Sequence, residues 1–292
     1  MVRKDFLKTL MVFPLMRGSM KLYELENITN NHSRSERMPL LFVGHGNPMN
    51  AIEDNRFSNS WKEIGSKLPA PQAILSVSAH WLTRGTKVLA MEQPKTIHDF
   101  GGFPEELFAQ QYPAPGAPEF AKETQRLSTK KHILLDDEWG FDHGTWSVLK
   151  QMFPKANIPV YQLSIDYHQP MEYHYELAQQ IQSLREKGVM VIGSGNIVHN
   201  LRAVNFQQDA KPYDWAIEFD AKIREWIENG DHRSIMEFQK LGSLAQLAHP
   251  TFDHFLPLMY VLGFQNKRET PKFFNDDFDM SSVSMRSIIY ES

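Results

Sequence analysis

Leu40-Leu41-Phe42-Val43-Gly44-His45-Gly46 is an apolar tetrapeptide that breaks at a glycine and delivers a histidine. Four consecutive apolar residues bounded by a turn signal read as a strand buried on both faces. The same phrase recurs twice. Ala73-Ile74-Leu75-Ser76-Val77-Ser78-Ala79 runs into His80-Trp81, and Val189-Met190-Val191-Ile192 runs through Gly193-Ser194-Gly195 towards His199. Strands buried on both faces belong to parallel sheets covered by helices. In open α/β sheets, sites form beyond the carboxyl ends of the strands. If the three strands are parallel, His45, His80 and His199 share one edge, however far apart they lie in sequence.

The intervening segments fit this reading. Helical spacing is expected over 52–68, 146–153, 171–187 and 213–228, and further strands over 87–91, 132–135, 160–165 and 282–290. Strands alternating with helices predict an α/β fold with a mainly parallel sheet flanked by helices. Pro/Gly-rich loops cover 93–104 and 112–118. No internal repeat, heptad pattern or low-complexity tract interrupts the chain.

Composition narrows the chemistry. The 292 residues include 12 His and no Cys, so thiolate metal sites, iron–sulfur clusters and a cysteine nucleophile are excluded. Any metal must be held by imidazole and carboxylate. With 31 Lys+Arg against 35 Asp+Glu, the net charge is −4, and no global basic surface for nucleic acid exists. No apolar run reaches the roughly 20 residues of a membrane helix. There is no P-loop, dinucleotide fingerprint, nucleophile elbow or His-Glu-x-x-His.

The first 38 residues read as leader and linker, with the domain spanning 39–292. Val2-Arg3-Lys4-Asp5-Phe6-Leu7-Lys8 resembles a degenerate twin-arginine signal with Lys4 in place of the second Arg. The apolar stretch after it contains Pro14 and has no clear cleavage site. A cytoplasmic protein is the favoured expectation, with periplasmic export the alternative.

Other histidines are less clear from the residues alone. His143 sits in Trp139-Gly140-Phe141-Asp142-His143-Gly144-Thr145-Trp146. His254 falls at an expected helix start, with Thr251 or Asp253 as cap. His98 lies in a loop able to cover a site. His32, His132, His168, His174 and His232 have polar neighbours and read as surface residues.

These segments together resemble one family. Gly44-His45-Gly46-Asn47-Pro48-Met49, Ser78-Ala79-His80-Trp81, His98-Asp99-Phe100-Gly101-Gly102-Phe103-Pro104, Tyr112-Pro113-Ala114-Pro115-Gly116, Gly140-Phe141-Asp142-His143-Gly144, Gly193-Ser194-Gly195-Asn196-Ile197-Val198-His199-Asn200 and His249-Pro250-Thr251-Phe252-Asp253-His254 are similar to the 4,5-DOPA extradiol dioxygenases. That family lies within the class III, LigB-like, ring-cleaving dioxygenases. The resemblance runs from about Pro39 to the C-terminus.

It implies a single domain with a non-haem Fe(II) site and the opening of a catechol ring beside its two hydroxyls, using dioxygen. His45, His80 and His254 are implied as metal ligands, with His199 a fourth ligand, an acid/base, or both. His143 and His199 are the implied acid/base pair. His254 stands where protocatechuate-cleaving relatives carry a Glu. Three neutral imidazoles bind Fe(II) less tightly than a two-His-one-carboxylate set, so Zn(II) is a plausible occupant. Trp81, Phe103, Trp146 and Tyr260 are candidates for packing on the substrate ring. Two rival expectations are a zinc-dependent hydrolase and a non-catalytic metal-binding protein on the same fold. Oligomeric state is not legible in the sequence.

Overall fold

A computed structural model describes residues 37–207 and 210–291. The expected leader therefore lies, up to residue 36, outside the described residues.

The main sheet is built from β1 (Leu40–Gly44), β2 (Ala73–Ser78), β3 (Val160–Gln162), β4 (Val189–Gly195), β5 (Pro271–Phe274) and β6 (Ser287–Tyr290). Its spatial order is β5-β6-β1-β4-β2-β3. β1, β4, β2 and β3 run parallel, and β6 and β5 add an antiparallel edge. The sheet is thus mainly parallel and helix-covered, as the apolar runs predict.

Alternate residues of each strand face opposite layers. Leu40, Phe42, Leu75, Val77 and Val191 pack on one side with Leu177, Phe219, Leu258 and Val261. Leu41, Val43, Ile74, Met190 and Ile192 pack on the other with Trp61, Trp146 and Leu149. The covering helices are α1 (Arg56–Lys67), α2 (His143–Met152), α3 (Met171–Gln180), α4 (Asp214–Glu228) and α5 (Leu256–Phe264). α1 and α2 lie on the second face; α3, α4 and α5 lie on the first.

Several boundaries differ from the sequence expectation, each for a local reason. α1 begins at Arg56 because the Asn55 side chain accepts from the Phe57 and Ser58 amides in a capping box. α2 begins at His143, three residues earlier than expected, because the Asp142 side chain caps the Thr145 amide. α3 ends at Gln180 and continues only as a 3-10 turn, Gln182–Lys187. The segment at 282–290 divides into Val283–Ser284 and Ser287–Tyr290. Among the described residues no helix is long and apolar enough to cross a membrane.

Two glycines allow the close approaches behind the site. A Cβ on Gly44 would lie 2.7 Å from the Met285 carbonyl oxygen, and one on Gly195 would collide with the His254 carbonyl. Gly195→Ala is therefore expected to push back the turn that carries His254. The expected cost is about 1–3 kcal/mol of stability, with lowered metal occupancy. Thermal denaturation and metal content check this; an unchanged Tm would contradict it.

Candidate metal centre

The parallel register brings the strand tips level. Gly44 pairs with Gly195, and Ser194 with Ser78. His45 follows β1 directly, its amide donating to the Gly195 carbonyl at 3.1 Å. The Ala79 amide donates to the Ser194 carbonyl at 3.0 Å, which holds His80 beside it. The Asn196 amide donates to the His254 carbonyl at 2.9 Å, and the His199 amide to Ala248 at 3.0 Å. The tips of three strands and two loops thereby converge.

Five imidazoles line one cavity of about 570 Å³: His45, His80, His143, His199 and His254. Ring centroids of His45, His80 and His254 form a near-equilateral triangle, 5.1, 5.1 and 5.0 Å apart. His143 lies 3.8 Å from His80, centroid to centroid. His199 stacks on His254 at 3.4 Å and 8°. Among the described residues, two groups are close enough for their ligand atoms to hold a metal: His45–His80–His143 and His199–Asp253–His254.

The hydrogen-bond partners fix which ring nitrogens face the cavity. The Ser194 hydroxyl donates its one proton to the Gly144 carbonyl at 2.5 Å. It must therefore accept from His45 Nδ1, 3.0 Å away. His254 Nδ1 donates to the Asp253 carboxylate at 2.6 Å. His80 Nδ1 faces Asp99 Oδ2 at 3.2 Å. Each ring thus keeps its proton on Nδ1 and presents a lone pair at Nε2. A partner on the far nitrogen is the usual support of a metal-binding histidine.

His45 Nε2 and His80 Nε2 lie 3.1 Å apart. With both protons on Nδ1, no hydrogen bond joins these atoms, and their lone pairs repel. A cation between them removes the repulsion. Two nitrogens about 2.1 Å from one ion at right angles are about 3.0 Å apart, so the spacing fits a shared metal.

Burial also keeps the rings neutral, as metal binding requires. It drives His45 and His254 well below the usual imidazole range, and the surrounding histidines add to this. Burial and the His143 charge lower His80 to about 3 despite the opposing Asp99 carboxylate. Burial, then His249, lowers His199 to about 4.

Asp99 is the residue that the sequence reading overlooks. Its Oδ1 accepts from the His143 amide at 2.9 Å and lies 3.0 Å from His143 Nδ1. One carboxylate thus braces two histidines. Burial works against its charge, but contact with His143 and His80 holds its pKa down at about 2. Lys95–Thr96 pairs with Gly140–Phe141, which fixes the Asp99 loop against the start of α2. A sequence signal existed: a carboxylate next to a motif histidine is a candidate brace. His98 turns away, with Nε2 2.9 Å from the Gln110 carbonyl.

Asp99→Asn keeps the size but removes the carboxylate charge that faces His80 Nδ1 and His143 Nδ1. Metal affinity or turnover is expected to fall about 10–100-fold. Titration of apo-protein with metal, alongside turnover, measures this. Values within about twofold of wild type would remove Asp99 from the centre.

Five sequence expectations are corrected. Asp253 does not cap a helix, because α5 begins at Leu256 with no side-chain cap and the carboxylate holds His254 instead. His174 is fully buried rather than on the surface, with Nδ1 2.9 Å from the Tyr260 hydroxyl. Tyr260 is occupied there and does not line the cavity. Trp81 stacks on Trp139 at 5.7 Å, and Trp146 donates to the Ile97 carbonyl at 2.8 Å, so both are packing residues outside the lining. Phe103 does line the cavity, beside Phe100.

A cluster of imidazoles at the carboxyl edge of an α/β sheet is an arrangement that could hold a metal ion. The chain belongs to the family described as the catalytic LigB subunit of aromatic ring-opening dioxygenase, whose model matches residues 39–287. It is thereby an extradiol ring-opening dioxygenase of a metal-dependent family. A 4,5-DOPA dioxygenase extradiol of Escherichia coli K12 is 46% identical over 258 residues, covering 87% of this chain and 95% of that protein. One from Beta vulgaris is 36% identical over 86% of this chain and 96% of its own length. The crystal structure of an uncharacterized Escherichia coli K12 protein superposes with a TM-score of 0.77 at 41% identity, covering 87% of this chain and 100% of that one.

Proposed function

We propose that this protein opens the ring of a catechol such as DOPA by 4,5-cleavage with dioxygen, at an Fe(II) held by His45, His80 and His254. The observation that supports this reading is the triangle of His45, His80 and His254 rings, each with a partner at Nδ1, in which the His45 and His80 Nε2 atoms lie 3.1 Å apart. The names of the relatives support the substrate class. Iron would supply Lewis acidity towards the catechol oxygens and bring dioxygen beside the ring.

The chain's own residues handle protons and position. His143, with Nδ1 on Asp99, presents Nε2 as the base for a catechol hydroxyl, and Asp99 stabilises the imidazolium that forms. His199, stacked on His254, is the second member of the acid/base pair; neutral at rest, it donates in ring opening only after it has taken up a proton. Phe100 and Phe103, edge to face at 5.3 Å, wall the space above the imidazoles and exclude water. Zn(II) competes for the same three neutral ligands, since it stands above Fe(II) in affinity. The domain of this activity is residues 39–292, in a cytoplasmic protein.

Anaerobic loading of apo-protein with Fe(II), addition of L-DOPA and admission of oxygen test the reading. A yellow ring-cleavage product with matching oxygen uptake is expected. Iron-bound protein that shows neither across a panel of catechols would overturn it.

A further inference from the structure

Asn47 is the one uncharged polar side chain among the described residues that line the cavity. The rest of the lining is imidazole, the Asp99 carboxylate, glycine and apolar side chains. Asn47 Oδ1 accepts from the Met49 amide at 3.0 Å, which caps the 3-10 turn Pro48–Ala51. That bond decides which end of the side-chain amide is engaged, because only the oxygen accepts from a backbone N–H. Nδ2 carries two protons, and among the described residues neither has an acceptor. Nor is Nδ2 sealed in the interior. The segment that carries it is held firmly. Gly46, at φ +57°, turns the chain between His45 and Asn47, and a Cβ there would collide with Met285 Sδ. Asn50 Nδ2 donates to the His45 carbonyl at 3.1 Å. A donor fixed in this way loses little freedom when it meets an acceptor.

A catechol bound through both hydroxyls at the imidazole cluster has no ring oxygen left to accept a hydrogen bond. The next acceptor on a catechol amino acid or alkanoic acid is the carboxylate of its side chain. Asn47 is half-buried, whereas His45, His143 and His254 are buried, so it stands nearer the opening than the cluster does. We propose that Asn47 Nδ2 donates to the side-chain carboxylate of the substrate and so selects acidic catechols. This rests on the ring-opening reading and extends it to the ring substituent. A hydrogen bond to a charged group is worth more than one to a neutral group, so a fixed amide separates a carboxylate substrate from its decarboxylated counterpart. Among the described residues no Lys or Arg lines the cavity. Arg202 follows Leu201 of the lining but is exposed outside it, where it adds positive potential without a fixed contact.

Two substrate pairs differ only in the carboxylate: DOPA with dopamine, and 3-(3,4-dihydroxyphenyl)propionate with 4-ethylcatechol. The readout is the ratio of kcat/KM within each pair, acid over counterpart, for the iron-loaded full chain. Asn47→Asp keeps an oxygen for the Met49 amide, since Asp caps as Asn does, but it removes the donor and adds a negative charge. It is expected to lower both ratios about tenfold or more. Asn47→Ala removes the donor without adding charge and is expected to lower them severalfold. A purely structural role would slow both members of a pair alike, so unchanged ratios in either variant would overturn the proposal. Ratios that fall in Arg202→Ala but not in Asn47→Asp would also overturn it and move the contact to the guanidinium. Anaerobic dissociation constants for the same four compounds, read by tryptophan fluorescence, should shift in the same way. If iron-loaded wild-type protein turned over none of them, the ring-opening reading would fall, and these constants alone would uphold or reject the Asn47 contact.

Discussion

Purified His45→Ala or His80→Ala protein is expected to carry only trace metal and to lose measurable ring-opening activity. Each variant removes one Nε2 from a triangle whose three members stand about 5 Å apart, ring to ring. Two of the three proposed ligand imidazoles remain, and a two-imidazole set does not compete with solvent for Fe(II). Changes that only loosen a ligand's brace cost about 10–100-fold, so deletion of the ligand should exceed that range. The fold should survive, because the rings sit beyond the strand ends while β1 and β2 keep their registers through Leu40–Gly44 and Ala73–Ser78. Circular dichroism and metal analysis on the same samples provide the check. Stoichiometric metal in either variant would remove that residue from the ligand set.

His143→Ala is expected to separate the two functions in the opposite way. Metal content should stay near wild type, while kcat falls by the roughly 10²–10⁴-fold that general acid–base catalysis contributes. The reason lies in Asp99. With His143 gone, the carboxylate still faces His80 Nδ1 at 3.2 Å, so the ligand keeps its brace. What disappears is the one imidazole, among the described residues, that both shares that carboxylate and lines the cavity without belonging to the three-ring triangle. A metal-free His143→Ala protein would sink this assignment and move His143 into the ligand set, where its proximity to His45 and His80 would then acquire a different meaning. The same two readouts on His199→Ala distinguish a proton donor, which leaves metal in place, from a fourth ligand, which does not.

The sheet was largely legible because its strands are apolar on both faces, a pattern that solvent-exposed elements do not show. Leu40–Gly44, Ala73–Ser78 and Val189–Gly195 fall where the runs predict them. Helix starts were less legible. α2 begins where the Asp142 side chain caps it, and a single capping residue is a weaker signal than a periodic apolar face. His174 shows the opposite failure. Its polar neighbours suggest exposure, yet it lies at 0% exposure against Tyr260, because α3 and α5 close over it. No local window records what a distant helix covers.

Within the site, His45, His80 and His199 stood out because each follows a buried strand. Their supports did not. Ser194 carries no sign of its role until its hydroxyl is seen between the Gly144 carbonyl and His45 Nδ1. Asp99 lies 44 residues from His143 in the chain and touches it through both ring and backbone.

By itself the sequence determined the class of chemistry available, since a chain with 12 histidines and no cysteine can offer a metal only imidazole and carboxylate. It also determined that three of those histidines end buried strands. Tertiary structure alone decided that the strands are parallel and in register, which of the five converging rings present Nε2, and which carboxylates brace them. The physical reason is that apolar periodicity is a local property of the chain, whereas a hydrogen-bond partner is chosen by whatever group the fold brings within about 3 Å.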